Sequence, residues 1–263
     1  MNYSIASWNV AGLRAILKKE IFEEFIFTNN YDIICFQETK CKENEVVLNN
    51  KIQEKYPYRY WRSCDGSTQR KGLNGVSIWS KIKPDVIIEE YEFDNEGRLL
   101  ILEYSKFILI NVYTPNSQKL NNERYFFREK WNNLIIELLI KLNKINKPYI
   151  FCGDFNVANE FIDISNPKIK INKLAGFFDN ERDDFKRLLN ICDLIDTFRY
   201  YNKDVQKSSY WSYFLKQERS NINGWRIDYF LCSKSIITNI KKSDMLMNIH
   251  GSDHCPIYIE LCI

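Results

Sequence analysis

Short apolar runs of strand length alternate along this chain with stretches whose apolar residues recur at helical spacing. Tyr3 to Asn9 alternates, Ile33 to Gln37 is a continuous buried run, and between them Leu13, Leu17, Ile21 and Phe25 step four residues at a time. The opening therefore predicts strand, helix, strand. Further strands are expected at Gly75 to Trp79, Val86 to Glu90, Leu99 to Tyr104 and Phe107 to Tyr113, punctuated by Pro84, Asn95-Glu96-Gly97 and Pro115. Their close spacing suggests antiparallel hairpins. From Glu123 to Lys144 one helical face carries Phe127, Trp131, Leu134, Ile135, Leu138, Leu139 and Leu142. A strand follows at Pro148 to Gly153, then a polar loop rich in Asn and Lys from 156 to 176, and a helix from Glu181 to Asn190. The last third gives aromatic, strand-like runs at Tyr210 to Phe214, Arg226 to Cys232 and Pro256 to Leu261. With many strands, interspersed helices and no linker, the pattern favours a layered α/β sandwich forming one domain over residues 1–263.

Composition narrows the class. Hydrophobic residues make up 45% and charged residues 27% of the 263, the profile of an ordinary globular chain rather than a disordered or collagenous one. No stretch approaches the roughly 18 apolar residues of a membrane span, and the first residues lack a basic head and apolar run, so an intracellular protein is expected. The eight cysteines are scattered, and Cys35, Cys152 and Cys232 sit inside apolar runs, which suits reduced core thiols. A net charge of +3 says little about partners.

The candidate chemistry lies at the ends of the strands. Asn9, Glu38, Asp154, Asn156, Asp228 and the pair Asp253-His254 each close or open an apolar run. A carboxylate at the mouth of an apolar sandwich is costly unless it is solvated, paired or bound to a cation. Taken singly, each could be an ordinary turn residue. Together they offer hard oxygen donors suited to Mg²⁺, which completes its shell with water and substrate phosphate, and they point to phosphate-ester chemistry.

Six segments in order, Ser7-Trp8-Asn9-Val10 with Gly12-Leu13-Arg14-Ala15, Gln37-Glu38-Thr39-Lys40, Tyr113-Thr114-Pro115-Asn116, Cys152-Gly153-Asp154-Phe155-Asn156-Val157-Ala158, Gly224-Trp225-Arg226-Ile227-Asp228-Tyr229-Phe230 and Gly251-Ser252-Asp253-His254-Cys255-Pro256, resemble the signatures of the exonuclease III class of apurinic/apyrimidinic endonucleases. The resemblance implies a four-layered α/β sandwich of the DNase I type, with two packed mixed β-sheets flanked by helices. It implies Mg²⁺-dependent cleavage, with Mn²⁺ able to substitute, 5′ to abasic sites, leaving a 3′ hydroxyl and a 5′ deoxyribose phosphate. Accessory 3′-5′ exonuclease and 3′-phosphatase or phosphodiesterase action would extend the substrates to blocked 3′ ends. By the same resemblance Glu38 is the main metal ligand, with Asn9, Asp253, Asp154 and Asn156 in or near the metal shell. Asp154 orients or deprotonates the attacking water, Asn156 stabilises the phosphate, Tyr113 contacts it or acts as an acid, and His254 paired with Asp228 donates to it. DNA contacts fall to Arg14, Asn116, Asn172, Tyr210, Trp211, Trp225 and His254, and the partner is double-stranded DNA met by a monomer. The expected compartment is the cytoplasm or nucleoid of a bacterium, or the nucleus of a eukaryote.

The chain departs from that pattern in three places. Ala11 stands where Asp or Asn is usual, and Gly72-Leu73-Asn74-Gly75 replaces Gly-Tyr-Ser-Gly. The loop from Asn166 to Phe177 is one residue longer, with Leu174 in place of an Asn, and its Lys168, Lys170 and Lys173 are expected on phosphates. Two rivals remain: a phosphatase acting on inositol phosphates or sphingolipids, and a catalytically inert DNA-binding or scaffold protein. The aromatic series Tyr210-Trp211-Ser212-Tyr213 with Trp225 tells against the first, and the retention of every main catalytic position against the second.

Overall fold

Alternation along the strands is what divides this chain into layers. In β1 (Asn2–Asn9) Tyr3 and Ile5 face one way into an apolar cluster, while Ala6 and Trp8 join another on the opposite side. The computed structural model describes residues 1–64, 72–89, 91–212, 218–220 and 222–263. After β1 come β2 (Ile33–Gln37), β3 (Tyr58–Arg62), β4 (Val76–Ser80), β5 (Val86–Ile88), β6 (Leu99–Glu103) and β7 (Ile108–Tyr113). The series continues with β8 (Tyr149–Asp154), β9 (Leu194–Asp196), β10 (Asp228–Ser233), β11 (Ile240–Met245) and β12 (Ile257–Cys262). The helices are α1 (Leu13–Ile16), α2 (Glu20–Thr28), α3 (Asn50–Lys55), α4 (Glu123–Leu142), α5 (Pro167–Lys170), α6 (Asp179–Ile191) and α7 (Thr197–Tyr201).

The strands form two six-stranded sheets, ordered β11-β12-β1-β2-β4-β3 and β5-β6-β7-β8-β10-β9. Each is mixed: β1 and β2 run parallel in the first, β7 and β8 in the second, and every other pairing is antiparallel. Ile5, Cys35, Ile78 and Ile259 of the first sheet pack on Leu100, Leu109, Ile150 and Cys152 of the second. On the outside, Phe22, Phe25 and Ile26 of α2 cover Trp8, Phe36 and Trp79, and residues of α4 and α6 cover Ile101, Ile110 and Phe151. Each such aromatic or aliphatic side chain contributes about 1.5–3 kcal/mol by leaving water. The result is the expected four-layered sandwich. A polar bridge crosses between the sheets at Asn111 of β7, which donates to the carbonyls of Phe36 and Ser77 and accepts from Gln37. All eight cysteines are free, and all but Cys262 are buried.

Several elements differ from the expectation. The helix read through Leu13, Leu17, Ile21 and Phe25 is broken into α1 and α2 by a turn that shifts the phase, so Ile16 and Phe22 are buried where Leu17 and Ile21 were expected. Gly75 to Trp79 does not pair with the strand that follows it in sequence; β4 joins β2 and β3, while β5, β6 and β7 make the hairpins. The polar loop contains a 3-10 turn at Phe161–Asp163 and the short α5. At Tyr210 only isolated bridges form, to Trp225 and His254, and residues 213 and 214 lie outside the described residues, as does Glu90. Strands β3, β9 and β11 and helices α3 and α7 went unread. In β11 the exposed Lys241 and Lys242 on an edge strand break the apolar pattern.

Candidate active site

Parallel strands deliver their carboxyl ends to one edge of the sandwich, and the chemistry collects there. Asn9 ends β1, Glu38 follows β2, Tyr113 ends β7 and Asp154 ends β8. Antiparallel β10 enters at the same edge, so Asp228 lies directly opposite Asp154. His254, just ahead of β12, arrives from the first sheet. Four non-glycine residues here have left-handed backbones: Ala11 (φ 50), Glu38 (φ 50), Lys40 (φ 52) and Asn156 (φ 48). Such conformations cost about 1–3 kcal/mol each and persist only when the surroundings impose them. Arg128 of α4 supplies part of that constraint from behind, donating to the carbonyls of Pro115 and Phe155 at 2.7 and 2.8 Å.

Two aspartates facing across a strand pair should repel. His254 relieves them. Its Nδ1 meets Asp228 Oδ2 at 2.8 Å and its Nε2 lies 3.8 Å from Asp154 Oδ2, with all three side chains buried. Burial alone would lower the imidazole pKa, but the charge and hydrogen bond of Asp228, with the charges of Asp154 and Asp253, raise it to about 10. The ring is therefore cationic at neutral pH. The Nε2 contact is too long for a hydrogen bond, which leaves that proton for a further acceptor. The Oγ of Ser209 donates to Asp228 at 2.6 Å, and the indole of Trp8 fixes the His254 carbonyl at 3.1 Å. Burial pushes Asp154 up to about 7, against the opposing charge of His254. A carboxyl near neutrality can take or give a proton at physiological pH.

Asn9 joins the two sheets at this point. Its Nδ2 donates to Glu38 Oε1 at 3.0 Å and to Asp154 Oδ2 at 2.9 Å, while its Oδ1 accepts from the Ala11 amide. The oxygen is committed to a fixed backbone donor, so Asn9 turns nitrogen, not oxygen, toward the carboxylates. Asn156 lies beside them, its Oδ1 accepting from the Asn116 side chain and its Nδ2 donating to the Thr114 carbonyl. Glu38 is opposed by burial, yet the Lys40 ammonium at 2.8 Å and the Asn9 amide hold its carboxyl below the usual range. Burial and the Glu38 carboxylate push the Tyr113 phenol well above its ordinary value, so it remains a donor. Among the described residues one grouping brings three potential ligand atoms within 4.8 Å of one another, Asp154, Asp228 and His254, and the carboxylates of Glu38 and Asp253 line the same cleft as Asp154.

The cleft above these residues holds about 470 Å³, a size suited to a small ligand or a single nucleotide. Asn116, Lys170, Leu174, Tyr210, Trp225, Ile227 and Asp253 complete its walls. Three expected DNA contacts are not brought to it. Trp211 packs in the inter-sheet core with its Nε1 on the Ser220 carbonyl at 2.9 Å, because successive residues of an extended segment point to opposite sides and Tyr210 takes the side of His254. Asn172 is tied to Asp179 at the start of α6. Arg14 lies in a neighbouring recess with Cys41, Lys42, Asn74 and Gly75. Of the three lysines, only Lys170 lines the cleft, while Lys168 and Lys173 are exposed.

Sequence reasoning missed Lys40, Ser209 and Arg128. Arg128 left a readable signal, for it falls on the same stripe as Trp131, Ile135, Leu138 and Leu142.

A model described as the Endonuclease/Exonuclease/phosphatase family matches residues 6–254. The chain is 38% identical over 263 residues to an exodeoxyribonuclease of Bacillus subtilis (strain 168), covering 98% of this chain and 99% of that protein. It is 35% identical over 266 residues to the DNA repair nuclease APEX1 of Danio rerio, covering 100% and 83% respectively. The solved structure of an AP endonuclease from Archaeoglobus fulgidus superposes with a TM-score of 0.86 at 25% identity, over 99% of this chain and 100% of that one.

Proposed function

Since the chain belongs to the endonuclease/exonuclease/phosphatase family and to its exonuclease III class of hydrolases, we propose that it is a single-domain, monomeric DNA repair endonuclease that hydrolyses the phosphodiester 5′ to abasic sites in duplex DNA. The products are a 3′ hydroxyl and a 5′ deoxyribose phosphate, and blocked 3′ ends are a second substrate. The observation that carries this reading is the geometry of one cleft: His254 held by Asp228 at 2.8 Å, with its Nε2 turned toward Asp154, at the foot of a pocket walled by Tyr210 and Trp225.

The donor set fits a divalent cation. His254, protonated and ion-paired, is spent as a ligand, so the Asp154-Asp228-His254 grouping is a poor chelate despite its proximity. Glu38, Asp154 and Asp253 supply hard oxygens, few enough to leave positions for water and phosphate, which suits Mg²⁺. When bound, the cation would neutralise charge on the phosphate oxygens. Asp154 accepts the proton of the attacking water, with its carboxylate held by the Asn9 amide and the Asn156 backbone. The free Nε2 proton of His254 and the Tyr113 phenol donate to the phosphate oxygens where charge grows in the transition state. Asn116 and Asn156, joined at 3.1 Å, border the phosphate path. Tyr210, Trp225 and Ile227 form a narrow wall for a nucleotide that has no base.

The test is a duplex carrying one tetrahydrofuran abasic analogue, with and without Mg²⁺. Incision 5′ to the analogue, abolished by EDTA and restored by Mg²⁺, is the expected result. Full cleavage after verified metal removal would overturn the metal assignment, and no cleavage in either condition would overturn the reading.

A further inference from the structure

Trp225 is held more firmly than a pocket wall requires. Its backbone exchanges hydrogen bonds with Tyr210, both at 2.9 Å, and its carbonyl also accepts from the Ser209 amide at 2.8 Å. Gly176 presses on the ring so closely that a Cβ there would come within 3.3 Å of Cζ3. The ring cannot slide away from whatever meets its face, and what meets it is Lys170. The Lys170 ammonium stands 5.2 Å from the ring centroid and donates to Ser165 Oγ at 2.6 Å. Ser165 is buried, and its amide bonds the Gly224 carbonyl, so lid and ring hang from one frame. Lys170 is half-buried, and that burial lowers its pKa from the ordinary lysine value.

An indole face in a DNA-facing cleft is a stacking platform for any base, because every base has a π-face, and such stacking is worth about 1–3 kcal/mol. A platform that stacked bases would work against an enzyme whose target has none. We propose that Lys170 is a specificity-determining residue: its ammonium and stem cover the face of Trp225, so that an extruded nucleotide bearing a base must displace them in order to stack, while an abasic nucleotide leaves them in place. This rests on the abasic-site reading above and goes beyond a phosphate contact, because the covering side chain acts on the base and not on the backbone.

Three variants separate the roles. Lys170→Ala opens the ring, Lys170→Met keeps the cover without the charge, and Lys170→Arg keeps both. Single-turnover incision is measured on matched duplexes with tetrahydrofuran or an intact nucleotide at the target. In parallel, binding is followed by the fluorescence of 2-aminopurine placed at the target, which falls on stacking. Lys170→Ala should raise the intact-to-abasic rate ratio about tenfold and deepen the quenching, as expected when a competitor for stacking is removed. Met and Arg should stay near wild type in both. An unchanged ratio and unchanged quenching in Lys170→Ala, with Ala and Met alike lowering the salt dependence of binding, would make Lys170 a phosphate contact and overturn the proposal. Failure of the wild type to cut tetrahydrofuran would instead overturn the functional reading, with the 2-aminopurine signal still deciding whether Lys170 shields the ring.

Discussion

Two residues apart on one segment, Arg226 and Asp228 enter two buried charge clusters of opposite character. Arg226, fully buried, pairs with Asp163 at 2.7 and 2.9 Å and with Asp196 at 2.7 Å, and Arg199 adds a second cation on Asp163. Burial would raise the Asp163 carboxyl, but the Arg226 and Arg199 charges hold it below its ordinary value. Here every carboxylate has a cation. Around Asp228 two aspartates share one histidine, which leaves Asp154 near neutrality and His254 far above it. Matched charges fix a conformation and resist titration, whereas mismatched charges keep a proton movable. Asp163 also accepts the backbone of the segment, through the Arg226 amide and its own carbonyl at 2.7 Å, so the silent cluster braces the responsive one.

The largest expected effect comes from breaking the matched cluster. Asp163→Ala leaves the buried Arg226 with Asp196 as its one carboxylate and removes the carboxylate of Arg199, and should cost about 3–5 kcal/mol of folding stability. Urea denaturation checks it; a loss below about 1 kcal/mol would mean that water or relaxation screens the pair. In the mismatched cluster the cost should fall chiefly on rate. Asp154→Asn and His254→Ala should each lower single-turnover incision by at least about a hundredfold, with the unfolding midpoint close to wild type in Asp154→Asn and lowered in His254→Ala, which leaves Asp228 without its cation. Glu38→Ala, by contrast, should recover part of its loss at high Mg²⁺. Near-normal cutting by Asp154→Asn would remove it as the proton acceptor.

The smallest effect, and the sharpest contrast, is the dependence of stability on pH in metal-free protein. His254 has its pKa raised from 6.5 to about 10 on folding. Its contribution is complete below pH 6.5 and lost as pH rises through about 10, because the folded state alone retains the proton. Asp163, lowered from 3.8, contributes above that pH and loses its contribution in acid. His254→Gln should flatten the alkaline limb only, and Asp163→Asn the acid limb only. A single variant that flattened both would show that the two clusters titrate as one.

How much of this could be read from the chain depended on range. The run at Ile33 to Gln37 declared β2 because it is buried on both faces, and strand ends marked by Glu38, Asp154 and Asp228 declared the edge where chemistry collects. Quantities set by a distant partner were not visible. The orientation of the Asn9 amide depends on Asp154, 145 residues away, and the side taken by Trp211 depends on where Tyr210 meets His254. The carbonyls and carboxylates that bury Arg128 and Arg226 come from other segments of the chain as well. Strand β3 hid for another reason: it is half-exposed along its whole length, and its alternation carries arginine as well as aromatic residues.

Strand β12 does not sit at the margin of its sheet but between β11 and β1. Residues near the start of the chain therefore wait for partners more than 240 positions later, as when the Trp8 indole meets the His254 carbonyl. During synthesis β1 can emerge and pair with β2 while its other edge stays bare. His254 reaches Asp228 only when β12 closes that edge, so the pairing that completes the sheet beside β1 is also the one that arms the cleft. A ribosome-bound chain short of β12 would thus carry both Asp154 and Glu38 and still lack the cation that sets their protonation. For an enzyme that cuts DNA, this order of assembly makes activity a consequence of finished folding.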